Sequence, residues 1–114
     1  MKVLQESEAN SFKNSATCHG FEFPFETRSM NIAVVMVDGR YPQEGHLRND
    51  VCDEIAYVLS GSGTVGVDNE THNIAAGDAV LLKAGERFWW QGSQLRMLMP
   101  CSPAFYPEQH KEVE

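Results

Sequence analysis

Short runs of β-branched and aliphatic residues, each closed by a glycine-centred turn, constrain the fold of this chain more than any other feature. Met30–Asp38 (MNIAVVMVD) stops at Gly39, and Glu54–Leu59 stops at Gly61 and Gly63. Thr64–Val67 runs into Asp68-Asn69-Glu70, a hairpin signal, and Thr71–Ile74 returns from it. Ala79–Leu82 lies between turn signals at Ala75–Asp78 and Lys83–Glu86. Phe88–Gln91 and Gln94–Met99 are expected to pair as a hairpin across Gly92-Ser93. Nothing before the C-terminal residues repeats with helical periodicity. Strands separated by turns every roughly 8–12 residues predict an all-β sandwich or barrel. Closure of such strands also hides their edges from other chains.

The chain has 114 residues, 42% of them hydrophobic and 22% charged, which suits one globular domain over residues 1–114. A net charge of −7 argues against a nucleic-acid partner and against an anionic membrane surface. No apolar run approaches the roughly 20 residues that would span a bilayer. MKVLQESEANSF carries no apolar signal-peptide core. Cys18, Cys52 and Cys101 are an odd set without CxxC spacing, which predicts free thiols in a reducing, cytoplasmic setting. The charged residues Glu108–Glu114 read as a loose tail or a short helical turn.

The segment Gly45–Gly63 (GHLRNDVCDEIAYVLSGSG) resembles the first motif of the cupin superfamily, roughly G-x5-H-x-H-x3,4-E-x6-G. Glu54 and Gly61 have its acid-to-glycine spacing, and Tyr57–Gly63 reads as its strand and turn. Gly77 and Gly85 keep the glycine separation of the second motif, roughly G-x5-P-x-G-x2-H-x3-N. Arg28–Asp38 and the proline-rich Cys101–Pro107 are similar to small single-domain cupins as well. The resemblance covers about residues 28–108 and implies a cupin-type double-stranded β-helix, or jelly-roll barrel. It also implies a homodimer, a small-molecule ligand, and in many relatives a metal-dependent isomerase or dioxygenase. The departures fall on the ligand positions. The histidine pair falls on Leu47 and Asn49, or on Arg48 and Asp50, and the second-motif positions hold Lys83, Phe88 and Gly92. In register, Glu54 alone of four typical ligands remains.

Candidate site residues follow from these departures. A divalent transition metal needs three or four donors converging on one point. Glu54 is one, His46 another if a bulge re-aims it, and Cys52 and Asp50 share the face of Glu54 on a straight strand. Two roles are open to Glu54 itself. Burial makes it a general base of raised pKa, or it is a structural acid paired with Arg48, Arg87 or backbone N–H groups. Phe88 and Trp90 share one face by alternation. With Ala56, Val58 and Arg48 they are expected to line an apolar lumen that binds a small molecule without a standard metal site. The competing readings are a metal-dependent enzyme using His46 and Glu54, and a non-catalytic sensor or accessory module. Trp89 points the other way, towards an expected dimer interface. Arg40 and Tyr41 are placed near the barrel mouth, and His19, His72 and His110 are given no strong role.

Overall fold

A computed structural model describes all residues, Met1–Glu114. It is built almost wholly of strands: β1 (Asn10–Ser15), β2 (Cys18–Glu22), β3 (Asn31–Tyr41), β4 (His46–Asn49), β5 (Asp53–Val67), β6 (Glu70–Ala75), β7 (Ala79–Leu82), β8 (Arg87–Ser102) and β9 (His110–Val113). Two short 3-10 turns, Glu6–Glu8 and Pro107–Gln109, are the only helical pieces. All pairings are antiparallel, in the order β1-β2-β3-β8-β4-β9, with β5 joining β8, β6 and β7. The curled sheet wraps a core that includes Val37, Leu47, Val58, Leu82, Phe88 and Met97. This is the all-β barrel expected from the turn spacing, in the jelly-roll form that the family resemblance implies.

Three expected boundaries are wrong, for one physical reason: β3 runs through Gly39 with a register shift between Val37 and Gly39, and the other two lie in β5 and β8. Gly92-Ser93 is not a hairpin: β8 continues through it for 16 residues, and β5 runs through Gly61 for 15. Along β8, Phe88, Trp90 and Gly92 face inward on even numbers, then Leu95, Met97, Met99 and Cys101 on odd numbers. Along β5 the phase switches likewise, from Ala56 and Val58 to Val65. A one-residue irregularity inverts every side chain beyond it. Gln94 takes a left-handed φ of 47°, opposite Gly61 at φ 76°. A side chain on Gly61 would collide with the Gln94 carbonyl. These paired bulges let β5 and β8 bend and serve two layers of the barrel, which a plain turn signal cannot distinguish from a hairpin.

The chain ends also differ from expectation. Residues 10–22 form β1 and β2, and Phe12, Asn14, Cys18 and Glu22 from these strands reach the lumen. The stretch expected as a loose tail or a short helical turn is a 3-10 turn at Pro107–Gln109 followed by strand β9, paired with β4 through His46↔Val113 to Asn49↔His110. Trp89 is half-buried, lying over Gly66 with the Arg40 guanidinium 5.1 Å from its ring centre. The outward apolar residues on β5 and β7 are Ile55, Tyr57, Leu59 and Leu81, all exposed. No helix is long and apolar enough to cross a membrane.

Candidate functional site

Residues of seven strands line a cavity of about 260 Å³. Glu54 enters from β5 and Phe88 and Trp90 from β8, with their rings edge to face at 6.1 Å. Leu47 from β4, Ala33 and Val35 from β3, and Met99 and Cys101 from the second half of β8 complete much of an apolar wall. Phe105, Pro107 and His110 close it from the C-terminal segment.

Glu54 is the charged group deepest in this wall. Its Oε1 accepts one hydrogen bond, from Asn49 Nδ2 at 3.3 Å. Burial in apolar surroundings penalises the carboxylate and pushes its pKa up to about 7, and the Asn49 bond offsets only part of that. Asn49 is fully buried and links Glu54 to a second titratable group. Its Oδ1 lies 2.7 Å from His110 Nδ1 and also accepts from Gln109 Nε2 at 3.5 Å. An amide oxygen only accepts, so His110 carries its proton on Nδ1. His110 Nε2 is then an acceptor, 3.4 Å from the Tyr41 hydroxyl. Burial lowers the His110 pKa and raises those of Tyr41 and Cys18, the latter to about 11. The neutral forms of all three are therefore held at pH 7. A hydrogen-bonded row Tyr41–His110–Asn49–Glu54 thus runs beside the cavity.

Gln109 fixes the strap that delivers His110. Its Oε1 accepts from the backbone N–H groups of Val51 and Cys52 at 3.2 and 3.3 Å. The Asp50 N–H donates to the Gln109 carbonyl at 2.8 Å. Strand β9 is thus fastened to the loop before β5, and the two polar ends of the row are held together.

The expected site residues separate into two groups. Glu54, Phe88 and Trp90 line the cavity, and Tyr41 does so as well. Ala56 and Val58 face inward but are packed into the core with no exposure, and they do not border the cavity. Arg48 points away from it and pairs with Asp50, Nε to Oδ1 at 2.6 Å. Neither Arg48 nor Arg87 partners Glu54; Asn49 does.

The expected donors His46, Asp50 and Cys52 are not gathered around Glu54, because Leu47 and Asn49 are the inward residues of β4. His46 alternates to the opposite face, where its Nδ1 is buried without a partner. Cys52 lies against Cys101. No group of three or more His, Cys, Asp or Glu converges in the molecule. With Leu47 and Phe88 in lumen positions and His110 engaged by Asn49 and Tyr41, the donor set does not fit a resident transition metal.

His110, Asn49 and the second lumen acid, Glu22, are site residues that sequence reasoning missed. Asn49 occupied one of the two registers considered for the histidine pair, which is the signal that would have found it. His110 carried no local signal, since its position depends on β9 pairing with β4 across more than half the chain.

Fold and site together define a small antiparallel jelly-roll barrel around a cavity bordered by Glu22, Glu54, Phe88 and Trp90. The chain belongs to the cupin family: the cupin-domain family model matches residues 33–99. The barrel is similar to Streptomyces Pac13, a nucleoside dehydratase, and to a variant of it with uridine. The variant is 21% identical with a TM-score of 0.87, covering 100% of this chain and 92% of that one; the enzyme is 20% identical over the same shares with the same score. An ectoine synthase from P. lautus is 16% identical with a TM-score of 0.76, covering 100% of this chain and 91% of that one. KdgF from Halomonas sp. is 16% identical with a TM-score of 0.71, covering 90% and 94%. At these identities the likeness is one of fold. Among curated proteins no sequence matches.

Proposed function

We propose that the barrel binds a small molecule in its lumen and that Glu54 exchanges a proton with it. The observation that carries this is the Glu54 carboxyl group in the largely apolar wall of the cavity, with one protein hydrogen bond. A carboxyl with a pKa of about 7 is half ionised at neutral pH, where it serves as either acid or base. The neutral His110 imidazole, backed by Tyr41, is a second proton-handling group on the same wall. The apolar surface with a few placed polar groups is the usual composition of a ligand site. The Pac13 structure with uridine supports the idea that a barrel of this shape admits a small organic molecule.

Binding is tested by thermal denaturation of the full chain against a small-molecule panel that includes uridine. A raised melting temperature, abolished by a bulky Leu47→Trp substitution that fills the lumen, is the expected result. Proton exchange is tested by turnover of any hit. Glu54→Gln is expected to retain binding and lose turnover. Unchanged turnover in Glu54→Gln would remove the assigned role.

A further inference from the structure

The lumen carries charge of one sign. Two carboxylates, Glu22 and Glu54, line it, and no Lys or Arg does. His110, the one basic side chain present, is held neutral by burial. Five aromatic rings surround the same space: Phe12, Tyr41, Phe88, Trp90 and Phe105. The faces of such rings are negative and attract cations, most strongly where water is excluded. Burial is what chiefly keeps the Cys18 thiol and the Tyr41 phenol neutral, with the charge of Glu54 a smaller contribution. Glu54 Oε1 is occupied by Asn49, and its second oxygen takes no protein donor.

A phosphorylated or carboxylated ligand would meet two acids and no counter-charge in this space. A neutral ligand does nothing for the ionised form of Glu54, whose burial is then relieved only by taking up a proton. A cation resolves both problems, since it pairs with the carboxylate and lies against the ring faces. On the reading that the lumen is the ligand site, we propose that it selects an organic monocation, a substituted ammonium small enough for the cavity. Its positive centre sits at Glu54 and its carbon substituents lie against Phe88 and Trp90.

Two matched pairs isolate charge from shape: choline against 3,3-dimethylbutan-1-ol, and benzylamine against benzyl alcohol. Binding of each, and of uridine, is measured on the full chain by calorimetry at pH 8 and at pH 5.5. At pH 8 at least one cation should bind about 10-fold tighter than its neutral partner, the scale expected of a desolvated cation–π contact plus a carboxylate. That preference should shrink at pH 5.5, where Glu54 is protonated, and shrink at pH 8 in the isosteric Glu54→Gln. Neutral partners binding as tightly as the cations in both pairs would overturn the proposal while leaving the lumen as a ligand site. So would a cation preference left undiminished by Glu54→Gln. If neither pair nor uridine binds, the reading of the lumen itself fails, and the proposal with it.

Discussion

Removing the charge of Glu54 should stabilise the barrel at alkaline pH and leave its stability at acid pH nearly unchanged. The group rises from 4.5 to about 7 on folding. Between these values the folded chain holds a proton that the unfolded chain has released. Stability from this group is therefore fully present below pH 4.5, falls as pH rises towards 7, and levels off above it. Each pKa unit corresponds to ~1.4 kcal/mol, so ionisation of Glu54 costs about 3 kcal/mol by pH 8. Glu54→Gln keeps the shape, carries no charge and keeps an oxygen for Asn49 Nδ2. Urea denaturation of both proteins from pH 4 to pH 9 isolates the effect, because every other titrating group cancels in the difference. The variant should match the parent near pH 4 and exceed it by about 2–3 kcal/mol at pH 8, with half the change near pH 6. A difference that stays flat across this range would refute the burial argument. A difference of opposite sign would place Glu54 beside a cation that the structure does not contain.

Phe88 is 2% exposed and borders the cavity, so Phe88→Ala should cost about 3–5 kcal/mol and enlarge the lumen. Near-zero destabilisation in urea would show that the ring is not in the core. Asn49→Ala removes the bond that holds down the Glu54 pKa, so its carboxyl titration, followed by carbon NMR, should move above pH 7. An unmoved midpoint would mean that Asn49 does not contact the acid. At Gln94, φ is 47°. Gln94→Gly should change stability by less than about 1 kcal/mol in either direction, whereas the β-branched Gln94→Val should cost more than about 1 kcal/mol. Equal melting curves for the two would place the bulge elsewhere.

The parts of the fold legible in the sequence were those set by local chemistry. Gly77 and Gly85 are turns with positive φ as their neighbours suggested, whereas Gly39 and Gly61 take positive φ inside long strands, and alternation placed Phe88 and Trp90 on one inward face. What escaped depends on pairing between distant residues. Whether Gly92-Ser93 is a hairpin or a bulge is decided by its opposite number in β5, not by its own residues. The same holds for His110, whose charged neighbours suggested a tail until β4 gave it a partner. At the site, family spacing located the acid but misled on its company. His46, Asp50 and Cys52 are close in sequence to Glu54, yet β4 turns His46 outward and Arg48 holds Asp50 outside.

The facing irregularities at Gly61 and Gln94 bear on how such a barrel can evolve. Each works as a parity switch, so deleting either residue would leave the composition almost untouched while turning half of a long strand inside out. Loss of Gln94, for example, would exchange Met97 and Met99 for Arg96 and Leu98 at the interior face on one side of the break. Outward positions of β5 and β8 tolerate substitution better than the strands tolerate changes of length, except at tips such as Asp68-Asn69 where no residue beyond must keep count. Descendants of this chain should therefore diverge widely in side chains while conserving the residue count between Glu54 and Gly63 and between Phe88 and Cys101. The lumen can then be relined for a new ligand, one wall position at a time, without the architecture losing its place.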